Sequence, residues 1–393
     1  MKKITIILIA ILAINPLAAV SAHSGPESPK LTLLSEAAIL MEADSGEILY
    51  DKNADEIMYP ASLTKIATTI YVIETADLDE IATVSSNARN TEGTSVFLEE
   101  GEQVSLEKLI KGLLINSGND AGVAIAEHLS GSVENFSSDM TAYFKNKLGT
   151  DSTNFKNPHG LFDPEHVTTA EDLARITQYA MKNDLFMEIF SKRELEWEGK
   201  TWDTTIINHH KLVKGEIPYD GITGGKNGYV SKSGFTLITT SEKENLNLIA
   251  VTLKNNNQNA VYNDTMDLLD YGFDQFRTAT VPEGAEFAAG DEVFTAPEKL
   301  AYTYPLTEEV REDVSENGTL EISSRDGEVI ASYPLEKVNN KNDREASAAM
   351  KNTSIQDTDS KSIFDYFPFN PAYLLLLFIL ILGIFYRFKR KYS

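Results

Sequence analysis

The sequence of 393 residues predicts an α/β protein of the α+β type, in which helices flank an antiparallel sheet that carries a helical insert. Three observations support this class. Strand patterns stand at both ends of the region 31–277, helical patterns fill its middle, and short alternating segments with turn signals follow in 278–338. We therefore expect a large α+β domain over 31–277 and a small β-rich domain over 278–338.

The sheet of the large domain is predicted from two hairpins. Four segments alternate like strands and pair in two hairpins: 37–42 with 47–50, and 234–239 with 246–251. Asp44-Ser45-Gly46 forms the first turn, and the polar residues 242–245 form the second. Because the hairpins lie at opposite ends of the domain, we expect one antiparallel sheet that both ends of the domain complete.

Helices are predicted between the two hairpins. Four segments carry apolar residues at helical spacing: 62–75, 106–115, 121–129 and 170–181. We expect these helices to form the insert that covers the sheet. The following region 278–338 has turn signals at Asn317-Gly318 and Asp326-Gly327 but no catalytic constellation, so we interpret it as a spacer or docking module.

Both ends of the chain carry signals of location. Residues 1–22 combine a basic start, an apolar stretch and a small-residue end, which is typical of a secretory signal peptide. Residues 339–370 predict a polar linker, 371–388 a transmembrane helix, and 389–393 a basic cytoplasmic tail. We expect an exported, single-pass cell-membrane protein whose large domain lies outside. The alternatives are an uncleaved N-terminal anchor and a buried C-terminal core helix.

Composition excludes several classes of function. Lys and Arg number 35 against 59 Asp and Glu, and the resulting net charge of −24 argues against a nucleic-acid partner. Cysteine is absent, which excludes disulfide scaffolds, Cys-based zinc sites and thiol nucleophiles. The six His are scattered, and the neighbours His209 and His210 would point in opposite directions on a strand. The sequence therefore implies no metal and no cofactor.

The first candidate for chemistry is Ser62-Leu63-Thr64-Lys65, at the head of a predicted helix. Residues three apart share one helix face, so the Ser62 hydroxyl and the Lys65 amine can meet. A desolvated neutral lysine can take the hydroxyl proton and activate the nucleophile. The plain alternative is that Ser62 caps the helix. The spacing alone is common, since Ser105 and Lys108 match it without further implication.

Two further patterns follow in order. Ser117-Gly118-Asn119 comes after the helix that ends near Ile115, where the alternative is a helix C-terminal turn. Lys226-Asn227-Gly228 precedes the second hairpin, where the alternative is a glycine-rich turn into a strand. Each pattern alone is weak evidence for an active site. Their order and context on an exported chain together form a combination that is specific.

In this combination the chain resembles the penicillin-recognising serine acyl-transferases. Within them it is similar to the low-molecular-mass penicillin-binding proteins, the serine-type D-alanyl-D-alanine carboxypeptidases. Further matching segments are 60–65, 115–121, 157–161 and 220–222. The resemblance covers about residues 31–275, and the small β domain with a C-terminal anchor fits the layout of the same family.

The resemblance implies a reaction and its catalytic residues. Ser62 would attack the D-Ala-D-Ala carbonyl of a peptidoglycan stem peptide, expel the terminal D-Ala and form an acyl-enzyme that water releases. Lys65 would be the base, kept neutral by burial and by a second cation, Lys226. Ser117 would relay the proton to the leaving amine. β-Lactam antibiotics would acylate the same serine as covalent inhibitors.

The resemblance also implies the substrate-binding residues. Asn119 would hold the substrate amide, and Lys226 in the Lys226-Asn227-Gly228 motif would receive its terminal carboxylate. The backbone N–H groups of Ser62 and Tyr229 would form the oxyanion hole. The middle residue of the third motif departs from the family, which usually has Thr or Ser where Asn227 stands. We expect a weakened or altered substrate preference and no loss of chemistry.

Two other functions stay open at the level of sequence. A β-lactamase would add a deacylating Glu with an Asn four residues later, and the window 165–175 lacks this spacing. Gly118 also stands where such enzymes tend to have Asp. A non-catalytic wall-binding protein that kept the fold is the alternative from a different class, which the departure at Asn227 makes conceivable.

Overall fold

The computed structural model describes residues 31–338. The predicted signal peptide (1–22), linker (339–370), transmembrane helix (371–388) and basic tail (389–393) lie outside the described residues. Within 31–338, no helix has the length and apolar character that a membrane crossing requires.

The described chain contains eight helices and seventeen strands. The helices are α1 (Thr64–Thr75), α2 (Ser86–Arg89), α3 (Leu106–Ile115), α4 (Asn119–Ser130), α5 (Val133–Leu148), α6 (Ala170–Ala180), α7 (Asp184–Phe190) and α8 (Gln258–Gln275). The strands are β1 (Ala37–Glu42), β2 (Ile48–Lys52), β3 (Ile81–Thr83), β4 (Gln103–Ser105), β5 (Glu194–Glu198), β6 (Asp203–Ile207), β7 (Ile222–Val230), β8 (Gly234–Lys243), β9 (Leu246–Asn255), β10 (Phe276–Val281), β11 (Glu286–Ala289), β12 (Glu292–Thr295), β13 (Leu300–Pro305), β14 (Val310–Val314), β15 (Thr319–Ser324), β16 (Val329–Pro334) and β17 (Glu336–Lys337).

The main sheet has five strands in the order β2-β1-β9-β8-β7. Every neighbouring pair is antiparallel, and Ala38 of β1 lies opposite Thr252 of β9. Both predicted hairpins are therefore confirmed, and the first and last strands of the large domain meet in the middle of one sheet. All six residues of β1 are buried, because β1 has a strand on each edge and packed side chains on each face.

A helical layer covers one face of this sheet and holds most of the core. The predicted helices over 106–115, 121–129 and 170–181 correspond to α3, α4 and α6. Leu109, Ile110 and Leu113 of α3 are almost completely excluded from solvent. Burial of each such side chain contributes about 1.5–3 kcal/mol, so the amphipathic pattern that predicts α3 is also what stabilises it.

Four helices were not predicted from the sequence: α2, α5, α7 and α8. The region before α8 is rich in Asn and resembles a loop, but the Asn257 side chain accepts hydrogen bonds from the backbone N–H groups of Asn259 and Ala260. This cap starts the helix. Its inner face then packs through Leu268 and Leu269 into a second apolar cluster with Leu40 and other sheet residues.

The C-terminal part of the described chain is all-β, as the sequence predicts. Residues 31–281, 300–312 and 322–331 belong to one compact unit, in which β10 pairs with β13. Residues 282–299, 313–321 and 332–338 belong to the other, in which β11, β12 and β17 form a three-stranded sheet. A further sheet has the order β14-β15-β16. The boundary between the domains at residues 277 and 278 stays a prediction.

Candidate active site

Ser62 lies in a short 3-10 turn, Ala61–Leu63, that precedes α1. The sequence predicts it inside the first turn of the α-helix, and this detail is wrong because α1 begins only at Thr64. No side-chain capping bond is present at the start of either helix, so the alternative that Ser62 serves as a cap does not hold. Ser105 does cap α3, by accepting from the Lys108 N–H.

Two glycines allow other segments to close on the Ser62 turn. A Cβ on Gly160 would lie 1.8 Å from the Ala61 carbonyl oxygen, and one on Gly228 would lie 2.8 Å from the Ser62 nitrogen. Either contact is too short for a real Cβ, so only glycine permits these approaches. Ala61 itself has φ +49°, which is uncommon for a residue with a side chain.

Lys65 connects the first two motifs. Its Nζ donates to Ser62 Oγ at 3.0 Å, to Asn119 Oδ1 at 2.8 Å and to the His159 carbonyl oxygen at 2.6 Å. The side chain is completely buried. A neutral amine has two N–H groups for the Asn119 and His159 oxygens, and its lone pair then faces Ser62 Oγ, the hydroxyl that a base would have to deprotonate.

Burial determines the protonation of the two site lysines. Desolvation first, and the charge of Lys226 second, hold the pKa of Lys65 well below its usual range, while Asp120 acts in the opposite direction. Desolvation lowers the pKa of Lys226 to about 7. Both lysines therefore give up a proton more readily than an exposed lysine does. A neutral Lys65 beside a partly charged Lys226 is the state that a general base requires.

The second motif lies in the turn between α3 and α4. Ser117 is buried and has φ +63°, so the turn is held in a left-handed conformation. Asn119 begins α4, and both ends of its amide are engaged: Oδ1 accepts from Lys65, and Nδ2 donates to the Glu92 carbonyl at 2.7 Å. Within 31–338, Asn119 thus orients Lys65 and leaves one N–H hydrogen for another acceptor.

The third motif lies within β7 and not in a turn that leads into a strand, so that alternative is wrong. Lys226 is buried, and its Nζ donates to the Asn227 carbonyl at 2.9 Å. Gly228 pairs with Thr236 of β8, whose hydroxyl donates to the Pro60 carbonyl at 3.1 Å. This bond ties the sheet to the turn that carries the nucleophile candidate.

The next two residues of interest on β7 differ in exposure. The Asn227 Oδ1 atom is buried and has no hydrogen-bond partner among the described residues, an arrangement that costs about 1–3 kcal/mol. The Tyr229 ring is exposed and lies against Phe235, with the ring centroids 4.7 Å apart. The backbone at Tyr229 follows directly after the glycine that touches Ser62.

Sequence reasoning assigned no role to Asp120, although the residue follows the second motif directly. Its carboxylate accepts from the Ser95 hydroxyl and from the backbone N–H groups of Val96 and Leu98. The same loop presents the Thr94 carbonyl to the Asn119 N–H. Asp120 therefore fixes the loop that holds Asn119, and the only signal for it in the sequence was its position beside the motif.

The His209-His210 pair does not form a metal site. His210 is buried: its Nδ1 accepts from the Val213 N–H at 3.3 Å, and its Nε2 lies 2.9 Å from the Thr239 hydroxyl. Burial lowers the pKa of His210 to about 3, so the ring is neutral. The two residues lie in a loop and not on a strand. Within residues 31–338 no group of His, Asp and Glu is arranged to hold a metal ion.

Comparison with known proteins assigns the family. The model of the D-alanyl-D-alanine carboxypeptidase family matches residues 22–257. The chain is 29% identical to the D-alanyl-D-alanine carboxypeptidase DacF of Bacillus subtilis over 347 residues, which cover 80% of this chain and 87% of DacF. It is 35% identical to DacC of Escherichia coli over 274 residues, with 67% of this chain and 66% of DacC covered.

Comparison with a solved structure gives the same family as these sequence relatives. Penicillin-binding protein 5 of Haemophilus influenzae superposes with a TM-score of 0.70 at 27% identity, and the match covers 79% of this chain and 98% of that one. The penicillin-recognising fold that the resemblance implied is therefore confirmed for the described chain. This chain belongs to the D-alanyl-D-alanine carboxypeptidase family, among the penicillin-binding proteins.

Proposed function

We propose that this serine carboxypeptidase removes the terminal D-alanine from peptidoglycan stem peptides through an acyl-enzyme on Ser62. The observation that carries the proposal is the 3.0 Å contact between Lys65 Nζ and Ser62 Oγ, made by a lysine that is fully buried. A hydroxyl at this distance from a neutral amine can lose its proton as it attacks.

The reaction proceeds in two steps. In acylation, Ser62 Oγ bonds to the carbonyl carbon of the penultimate D-Ala while its proton moves to Lys65. The C–N bond then breaks, and the leaving amine takes a proton that Ser117 relays from Lys65. In deacylation, water gives a proton to Lys65 and attacks the ester carbonyl; the bond from this carbon to Ser62 Oγ breaks, Lys65 returns the proton to Ser62 Oγ, and the shortened stem peptide leaves.

Substrate recognition is assigned to the second and third motifs. The remaining N–H of Asn119 binds the substrate amide, and Lys226 with the Asn227 amide binds the terminal carboxylate. The backbone N–H groups of Ser62 and Tyr229 stabilise the oxyanion, and each such donor contributes about 2.7–4 kcal/mol in comparable enzymes. The support for this oxyanion hole is the close approach of β7 to the turn that carries Ser62, where a Cβ on Gly228 would lie 2.8 Å from the Ser62 nitrogen.

β-Lactam antibiotics acylate Ser62 by the same chemistry, because their strained amide presents a similar carbonyl and carboxylate. The test is mass spectrometry of the purified protein after incubation with a penicillin, together with an assay of D-alanine release. We expect a persistent adduct on the peptide that contains Ser62, and release of D-alanine from a D-Ala-D-Ala peptide. Rapid loss of the adduct would instead indicate a β-lactamase, and its absence a binding protein without catalysis.

The nucleophile itself is tested with a matched pair of variants. Ser62→Ala should abolish both the adduct and D-alanine release, since no other hydroxyl contacts Lys65 Nζ among the described residues. Ser105→Ala, at the other Ser-x-x-Lys sequence, should retain both, because Ser105 only caps α3. Labelling that persists in Ser62→Ala would overturn the assignment of the nucleophile.

The location of the protein is also a proposal. The basic and apolar start at 1–22 supports export, and the apolar segment 371–388 with its basic tail supports anchoring in the cell membrane. The catalytic domain would then lie outside the membrane, where peptidoglycan is found. The tail would remain in the cytoplasm.

A further inference from the structure

A chain of buried hydrogen bonds ends at the peptide group that precedes Ser62. The Lys156 backbone N–H donates to His166 Nδ1 at 2.9 Å, and His166 Nε2 lies 2.8 Å from Thr64 Oγ1. The Thr64 hydroxyl donates to the Ala61 carbonyl oxygen at 2.8 Å. Because Nδ1 accepts, the proton of a neutral His166 is on Nε2, and each group in the chain donates toward Ala61.

Burial keeps this chain in a single arrangement. Thr64 is 0% exposed and His166 is 2% exposed, so water does not compete for their hydrogen bonds. Desolvation lowers the pKa of His166 to about 4, with Lys65 acting in the same direction and Asp163 against it. The ring is therefore neutral near pH 7 and keeps the tautomer that donates to Thr64.

The Ala61 carbonyl and the Ser62 N–H belong to one planar amide group. Resonance couples them, so a hydrogen bond received by the oxygen increases the positive charge on the N–H hydrogen. That N–H is one of the two donors assigned above to the oxyanion hole. A bond to Ala61 O thus acts on the group that stabilises the transition state, although it touches no substrate.

The turn also needs the bond for its geometry. Ala61 has φ +49°, a conformation that is strained when a residue other than glycine adopts it. The Thr64 hydroxyl holds the carbonyl of this strained residue, and Gly160 lies against the same oxygen. The Thr64 backbone N–H also donates to this oxygen, so three contacts at the other end of its peptide group fix the direction of the Ser62 N–H.

We propose that Thr64 and His166 are positioning residues that orient and polarise the Ala61–Ser62 peptide for oxyanion stabilisation. This inference rests on the proposed acyl-enzyme mechanism, in which Ser62 supplies both the nucleophile and one oxyanion donor. It gives a function to the third residue of Ser62-Leu63-Thr64-Lys65 and to a histidine about one hundred residues away.

The experiment uses Thr64→Val, which keeps the shape of the side chain and removes its hydroxyl. Two quantities are measured: the acylation rate constant at saturating penicillin, and the inhibition constant of a boronic acid that forms a tetrahedral anionic adduct with the serine. We expect both to worsen about five- to tenfold, which is the effect of one lost hydrogen bond. The penicillin concentration that gives half the maximal rate should stay within about twofold, because the lost bond acts on the transition state.

Conservative variants separate this role from a general effect on folding. Thr64→Ser should restore both quantities to within about twofold, since Ser offers the same donor and acceptor. His166→Gln, which keeps a terminal N–H donor, should be closer to the wild type than His166→Phe. Thr69→Val is the matched control: Thr69 lies on the same helix, is equally buried and has no partner for its hydroxyl within 31–338, so its removal should leave acylation unchanged.

The outcomes distinguish a failure of the proposed function from a failure of the positioning role alone. Wild-type protein that forms no adduct overturns the proposed function itself. Active wild type with Thr64→Val acylated at the same rate overturns only the positioning role. Loss of acylation in Thr64→Val that Thr64→Ser does not restore, accompanied by an equal fall in melting temperature in both variants, would assign Thr64 to packing and also overturn the proposal.

Discussion

The chemistry proposed for the site depends on two buried lysines, each with a pKa that desolvation lowers. Lys65 has three hydrogen-bond acceptors, one of which is Ser62 Oγ, and its pKa is held low by burial and by Lys226. Lys226 has a pKa of about 7 and lies one residue before Asn227 on β7. In the proposed mechanism Lys65 serves as the base and Lys226 supplies the charge, and Lys65 could not act as a base near neutral pH with its ordinary pKa.

The pKa of Lys226 predicts an alkaline limb in the activity profile. As pH rises through about 7, the free enzyme loses the Lys226 charge, so kcat/KM for a peptide with a free carboxylate should fall. Lys226→Arg keeps its charge at these pH values and should shift or remove this limb, even if its maximal activity is lower. The measurement is kcat/KM from pH 5 to 10. An identical alkaline limb in Lys226→Arg would show that another group causes it.

Asn227 is the residue where this chain departs from its family. Asn227→Thr should raise kcat/KM on a D-Ala-D-Ala peptide about tenfold, because a short, stiff hydroxyl can donate to the substrate carboxylate. It should also raise the melting temperature, since it removes the buried Oδ1 atom that has no partner among the described residues. Steady-state kinetics and thermal unfolding test the two effects separately. Lower activity on every peptide would mean that Asn227 is adapted to a different substrate.

Gly160 connects the loop 157–161 to the nucleophile turn. Gly160→Ala adds a Cβ that would lie 1.8 Å from the Ala61 oxygen, so the turn must move and acylation should fall by more than about tenfold. Gly131→Ala is the control for backbone strain, because Gly131 also has a positive φ but has no atom within 4 Å of an added Cβ. It should lose about 1 kcal/mol of stability and keep its acylation rate. Equal acylation rates in the two variants would contradict the role of the Gly160 contact.

The sequence predicts best those elements in which the spacing of apolar residues matches the face that is buried. The helix over 106–115 agrees with α3 at both ends, because its apolar face is regular and Ser105 marks its start. The helix α8 was missed because its start depends on Asn257, and asparagine is equally common in loops.

The three motifs could be found by residue type and order. The supporting contacts of Gly160, Asp120 and His166 could not, because they join segments that are distant in sequence.

Protonation of buried histidines couples the stability of the whole domain to pH. The pKa of His166 is about 4 in the folded protein against 6.5 when exposed, and that of His210 is about 3. The unfolded chain therefore binds more protons below pH 6.5, and stability should fall as the pH decreases from about 6.5 toward 4. His166 alone contributes on the order of 3 kcal/mol to this loss.

Urea unfolding at a series of pH values between 4 and 7 measures this effect. His166→Gln does not titrate, so its free energy of unfolding should depend less steeply on pH than that of the wild type. A slope in His166→Gln equal to that of the wild type would contradict the assignment.

The proposed anchor predicts a simple change of location. Deletion of residues 371–393 should move the protein from the membrane fraction to the soluble exported fraction, because the apolar segment and its basic tail are lost. The released protein should still be labelled by penicillin, since every residue assigned to the site lies within 62–229. Fractionation followed by fluorescent penicillin labelling measures both properties. Label that stays with the membrane would point to retention of the N-terminal segment.

The pairing of β1 with β9 has a consequence for the biogenesis of the protein. Ala38, near the start of the described chain, pairs locally with Lys52 of β2, but its other neighbour, Thr252 of β9, is synthesised only after all the helices of the insert. A chain that emerges from its N-terminus must therefore wait, with the β9-facing edge of β1 unpaired, until most of the catalytic domain has followed. During that interval an apolar strand edge is open to other chains. With the export proposed above, this delay would favour folding after translocation and would give secretion chaperones a defined segment to protect.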